Sequence, residues 1–171
     1  MSLLEIVLYP DPVLKKVASP VEEVTEDIKQ LLEDMAETMY DAPGIGLAAP
    51  QIGKSIRAMV VDVGIDEETG ERTLYKLVNP EIVDSSGKAS GEEGCLSIPD
   101  IREVVDRSEK VTVEALDENG QPVRVEADGL LSICLQHEID HLDGVLFIDK
   151  LSRLKKEVMR GKLKKLVKAA R

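Results

Sequence analysis

Both histidines of the chain stand in one five-residue string, His137-Glu138-Ile139-Asp140-His141. On an α-helix, positions i and i+4 share a face, so both imidazoles can reach one metal ion. The surrounding residues agree with a helix, because the apolar pattern turns helical from Asp128 to about Leu142. A fold built on this chain must carry that helix with one face turned into a site. Glu138 follows the first histidine and can serve as general base toward a water at the metal.

Two histidines do not complete a metal site. A third histidine six residues after the second would extend the motif, but Phe147 stands there and cannot bind metal. A downstream acid would also serve, yet Glu157 lies stranded in a basic segment. The two cysteines are better candidates. Cys134 shares the helix face with both histidines but is seven residues from His141, roughly 10.5 Å along the axis. One ion cannot span that distance, so Cys134 reads as a small apolar side chain near the site. Cys95 sits in GEEGCLSIP, between a glycine and a turn-forming Pro99. A loop of that kind can bring a thiolate to the helix from elsewhere. A Cys/His/His set leaves a fourth position open, which is the plan of a catalytic site; structural zinc sites are closed by four protein ligands. One further segment is unusual: GIGLAAPQIG at 44–53 reads as a glycine-rich loop. It lacks the Lys and Ser/Thr of a phosphate loop. Its glycines allow a ligand close to the backbone, and Gln51 offers an amide donor for an oxyanion beside a metal.

The remaining pattern predicts an α+β fold of mainly antiparallel sheets around a central metal-binding helix, with an N-terminal and a C-terminal amphipathic helix. Residues 1–24 look extended, punctuated by Pro10, Pro12 and Pro20. After Thr25 as N-cap, Ile28, Leu31, Leu32, Met35 and Met39 repeat at helical spacing, and the helix should end before Pro43. Residues 57–63 read as a buried strand, and 74–83 as strand interrupted by Pro80. Val111, Val113 and Ala115 alternate with polar residues, as do Val123, Val125 and Ala127, with DENG between the two runs; this is a β-hairpin. From about Ser152 the tail reads as a basic helix with Leu154, Val158, Leu163, Leu166 and Val167 as its apolar positions.

At 171 residues a single catalytic domain, 1–171, is expected, with 152–171 its basic helix. No apolar run is long enough for a transmembrane helix, and the N-terminus resembles neither a secretory signal nor a transit peptide. Two cysteines make no disulfide framework, which points to the cytoplasm. The net charge of −11 is unevenly spread, with about +9 on residues 150–171 and about −20 on the rest. The acidic body repels nucleic acid, and four aromatic residues make no base-stacking platform, so DNA is not an expected partner. The basic tail could still dock on an anionic surface.

Three strings occur together and in order: GIGLAAPQ at 44–51, EGCLS at 93–97 and QHEIDHLDG at 136–144. Together they resemble the peptide deformylase family, and most of all its bacterial type 1 members. The resemblance implies an enzyme that removes the formyl group from the N-terminal methionine of nascent polypeptides, giving formate and a free amino terminus. It implies Cys95, His137 and His141 as metal ligands, Glu138 as catalytic acid/base, and the Gln51 amide and Leu96 N–H as oxyanion donors. It implies one divalent ion per chain, Fe(II) in the cell, with Ni or Co as working substitutes and Zn poorer. Ile45, Gly46 and Gly94 resemble residues whose backbones pair with the substrate as an added strand. Ile45, Arg102, Ile133 and Cys134 would wall the methionine pocket, Arg102 through its aliphatic stem. The expected partners are nascent formyl-methionyl chains and, through the basic helix, the ribosome; no membrane partner is expected, and the chain reads as a monomer. Two other readings share the helix: an HExxH endopeptidase, and an RNA-binding module with a structural metal.

Overall fold

A computed structural model describes residues 2–169. The first helix, α1 (Glu26–Asp41), begins where the Thr25 hydroxyl accepts the Ile28 N–H at 3.3 Å. Glu26 and Asp27 suit its positive N-terminal end. It stops ahead of Pro43, as expected. The segment at 44–53 is more ordered than a loop: it forms a short strand, β1 (Gly46–Ala48), and a 3-10 turn (Ala49–Ile52). β2 (Ala58–Val61) follows, then β3 (Tyr75–Ser86), β4 (Ala89–Cys95), β5 (Ile98–Arg107), β6 (Lys110–Leu116) and β7 (Pro122–Asp128). The chain closes with α2 (Gly129–Leu142), a 3-10 turn (Phe147–Lys150) and α3 (Arg153–Ala169).

Five strands make one antiparallel sheet in the order β1-β2-β3-β6-β7, and β4 and β5 make a separate hairpin. The large sheet is covered on both faces at β2. Ala58 and Val60 pack with Leu32, Met35 and Met39 of α1, whereas Met59 and Val61 pack with Leu135, Ile139 and Leu142 of α2. That two-sided burial is why residues 58–61 read as a continuous apolar run. α2 lies between the large sheet and the hairpin, and it buries nine of its fourteen residues, His137, Glu138 and His141 among them.

Four expectations need correction. Pro80 does not interrupt its strand. Asn79 takes φ +52° and the register shifts between Val78 and Glu81, so a bulge removes the proline from the ladder and β3 continues to Ser86. The Asn79 amide at this bend both accepts the Val21 N–H and donates to the Val21 carbonyl, each at 2.8 Å. Pro99 is not in a turn; it lies within β5, and Leu96–Ser97 make the turn. Residues 2–24 join neither sheet beyond a single bridge at Ser19, and they include a 3-10 turn at Pro12–Lys15. α3 exists, but Leu154 and Val158 are 73% and 64% exposed. Leu163 and Leu166 face inward as expected, but they are joined by Met159 instead, and the three pack on Ile98, Ile101, Val105 and Phe147. No described helix is long and apolar enough to cross a membrane.

Candidate metal centre and cleft

α2 presents His137 and His141 on one face, as the four-residue spacing requires, and their Nε2 atoms lie 3.2 Å apart. The β4–β5 hairpin supplies the third group from the opposite side. Cys95 ends β4, and its Sγ lies 3.3 Å from His141 Nε2. The three donor atoms all fall within 4.8 Å of one another. Ligands held at about 2.0–2.3 Å on a tetrahedral ion stand roughly 3.3–3.6 Å apart, so this set fits one ion. Cys134 is not in that set. Its thiol is buried, faces the Ile45 carbonyl at 3.6 Å, and is pushed up in pKa by burial and by the Glu138 and Glu93 charges.

The cluster opens on a cleft of about 930 Å³ between β1 and the hairpin. Ile45, Gly46, Gln51, Gly94, Leu96, Arg102, Ile133, Cys134 and Glu138 all line it, with Cys95 and His137 at its floor. A Cβ at Gly46 would meet Glu138 Oε2 at 2.5 Å and Cys134 Sγ at 2.9 Å, so any side chain there would push both out of place. Gln51 is buried, and its orientation is set by the Ala48 N–H, which donates to Oε1 at 2.9 Å. Nε2 therefore points at Cys95 Sγ (3.4 Å) and the Ser97 hydroxyl (3.3 Å). The guanidinium of Arg102 is ion-paired with Glu92 at 2.9 Å on the rim. β1 is the edge strand of the large sheet.

The profile of the family described as polypeptide deformylase matches residues 3–157. The chain belongs to that family. A peptide deformylase of Alkalilimnicola ehrlichii is 53% identical over 171 residues, covering 100% of this chain and 94% of the relative. The crystal structure of a deformylase from Legionella pneumophila superposes with a TM-score of 0.87 at 48% identity, covering 98% and 97% of the two chains. The deformylase of Ehrlichia chaffeensis, solved in complex with actinonin, gives 0.88 at 40% identity, covering 96% and 98%. The expected α+β architecture is the architecture of these deformylases.

The deformylase cleft is also built from residues that the sequence reading passed over. Glu93 accepts from His137 Nδ1 at 2.9 Å, which turns the Nε2 of that ring toward the cluster. Arg107 donates twice to Glu93, at 2.9 and 2.8 Å, and also to Asp140. Burial alone would raise the Glu93 pKa, but hydrogen bonds from Arg107 and His137, with their charges, hold it down at about 2. Burial would likewise lower His137, yet hydrogen bonds to Cys95 and Glu93 and the Glu138 charge hold it up at about 10. A cation binding at His137 Nε2 must displace that proton. His141 is pushed well below its ordinary value by burial and by the His137 and Arg107 charges. Glu138 is pushed up to about 7 by burial, which outweighs the His137 and Arg107 charges, and its Oε1 has no partner. A buried carboxylate poised near neutrality, beside three convergent donors, is the arrangement that proton transfer needs.

Proposed function

We propose that this chain hydrolyses the formamide of N-terminal formylmethionine on nascent polypeptides, with residues 1–171 acting as one catalytic unit. Cys95, His137 and His141 hold one divalent ion, Fe(II) in the cell, although this donor set also accepts Ni, Co or Zn. Such an ion supplies Lewis-acid chemistry that makes water nucleophilic near neutral pH. Glu138 accepts the water proton and passes it to the leaving amine. The Gln51 amide and the Leu96 N–H meet the negative charge that develops on the formyl oxygen. The backbones of Ile45, Gly46 and Gly94 receive the peptide as an added strand. Ile45, Arg102, Ile133 and Cys134 wall its methionine. The observation that carries this reading is the unpaired, buried Glu138 carboxylate beside the three converging donor atoms.

The test is formate release from a short N-formyl-methionyl peptide, using protein purified without oxygen, with the acetylated peptide as control. Formate from the first and little reaction with the second is the expected result. Absence of formate with a full equivalent of Fe, Ni or Co bound would overturn the reading. Metal analysis of the same preparation should find iron. Cys95→Ala should no longer carry a full equivalent of metal after desalting; stoichiometric metal in that variant would assign the third ligand elsewhere.

The enzyme works in the cytoplasm as a monomer and docks on the ribosome through α3. Lys156, Arg160, Lys164 and Lys168 make one cationic stripe at four-residue intervals on that helix, suited to phosphates. Deleting residues 152–171 would also remove Met159 from the core, so charge reversal is the cleaner experiment. Lys164→Glu with Lys168→Glu should abolish co-sedimentation with ribosomes at low salt and leave peptide deformylation unchanged. Undiminished co-sedimentation would remove α3 from the interface.

A further inference from the structure

The two elements assigned to oxyanion stabilisation belong to different parts of the fold. Gln51 stands in the 3-10 turn that follows β1 of the large sheet, whereas Leu96 stands in the turn of the β4–β5 hairpin. No backbone hydrogen bond joins these two turns directly among the described residues. A third segment bridges them. Residues 4–8, outside any strand or helix, run beside the cleft, which Ile6 lines, and Tyr9 begins a turn. The Val7 N–H donates to the Gln51 carbonyl at 2.7 Å, and the Tyr9 N–H donates to the Ser97 carbonyl at 2.8 Å. The two donors stand only two residues apart along the chain. One short length of chain thus holds both turns, beside the direct contacts of the Gln51 amide with Cys95 Sγ and the Ser97 hydroxyl.

The strap is anchored so that it can act as a ruler. The Leu4 N–H donates to the Thr38 hydroxyl at 2.9 Å, tying the strap to α1. Val7 and Tyr9 pack on the cluster around Phe147 and Met159 beneath the hairpin. We infer that Val7 and Tyr9 are positioning residues for the reaction, and that their backbone N–H groups hold the Gln51 amide and the Leu96 N–H at the separation one oxyanion requires. The inference rests on the deformylase roles proposed above for Gln51 and Leu96. Neither Val7 nor Tyr9 lines the cleft, so each acts through the turn it holds. Oxyanion donors are sensitive to such geometry, because removing one typically costs about 100- to 1000-fold in kcat.

The experiment is a double-mutant cycle between Val7→Pro, which removes the N–H, and Gln51→Ala, read as kcat, KM and bound metal on a formyl-methionyl peptide. Val7→Pro should lower kcat by about 10- to 100-fold, a fraction of the loss for a deleted donor, with KM and metal content kept. In the Gln51→Ala background the same change should cost less than about 3-fold, because the donor it positions is already gone. Val7→Ala, which keeps the N–H, should restore most of the rate lost in Val7→Pro. If Val7→Pro fails to fold, replacing the Ile6–Val7 amide with an ester removes the same N–H and leaves the side chain in place. Equal losses in both backgrounds, or an unchanged kcat, would overturn the inference. Failure of the deformylase reading itself would look different: unaltered enzyme would release no formate, or Gln51→Ala alone would leave kcat intact.

Discussion

Glu138→Gln is expected to keep the metal and to lose about 100- to 10,000-fold in turnover, the range that a positioned acid/base contributes. Glu138 is buried, its Oε1 has no hydrogen-bond partner, and burial holds its pKa up at about 7 against an ordinary 4.5. A group in that state can take a proton at neutral pH and give it back. The same placement costs the fold something. The folded-state pKa lies above the unfolded one, so the cost is absent below pH 4.5, grows as the pH rises to 7, and is complete above it. At about 1.36 kcal/mol per pH unit it amounts to at most about 3 kcal/mol. Glutamine keeps the shape and carries no charge. In metal-stripped protein, Glu138→Gln should therefore raise the melting temperature at pH 8 and leave it unchanged at pH 4. A variant that turns over formyl-peptide at near-normal rate would remove Glu138 from the chemistry. A variant that melts lower at pH 8 would show that the carboxylate is stabilised by something other than the surroundings described here.

That conflict between stability and chemistry is legible in the sequence only in part. The helix and its two histidines could be placed because i, i+4 is a property of one local element. Thr25 as N-cap, the stop before Pro43 and the hairpin around DENG are local in the same sense. Cys95 reaches the helix only because the β4–β5 hairpin folds across it, and that hairpin gave little periodic signal. Its strands pass from GEEG to REVVDR with charged residues on both faces, since Glu93 and Arg107 turn inward beside Ile101 and Val105 while Arg102, Val104 and Asp106 face solvent. Glu93, Arg107 and Asp140 come from three elements and share no spacing, although Glu93 stands two residues before Cys95 on the same strand. The α3 misreading has a different cause. Leu154 and Val158 form one apolar stripe, while Met159, Leu163 and Leu166 form another, and helical periodicity accepts either. The apolar surface of β5 beneath the helix selects the second.

Arg107→Met is expected to destabilise the protein by about 3–5 kcal/mol, because it leaves a buried anion without its main partner. Arg107 is 6% exposed and donates two hydrogen bonds to Glu93, itself 6% exposed, and a further one to Asp140. Those bonds, with the one from His137, are what hold Glu93 at about 2. Its folded-state pKa lies below the ordinary 4.5, so its contribution is fully present above pH 4.5 and is lost as the pH falls toward 2. Removing Arg107 takes away most of that depression, and acid unfolding should then begin at a higher pH. Glu93→Gln in the same chain removes the stranded charge, so the double variant should be more stable than Arg107→Met alone. Metal binding separates this network from an ordinary structural pair. Glu93 orients the His137 ring through Nδ1, and losing such an outer partner typically weakens a metal site about 10- to 100-fold. Glu93→Gln should show that loss in a chelator competition even where its melting temperature is close to that of the unaltered protein. An unchanged acid midpoint in Arg107→Met would mean that the pair adds nothing to stability; an unchanged metal affinity in Glu93→Gln would mean that the imidazole is aligned by α2 alone. The network would then serve only to join the hairpin to the helix.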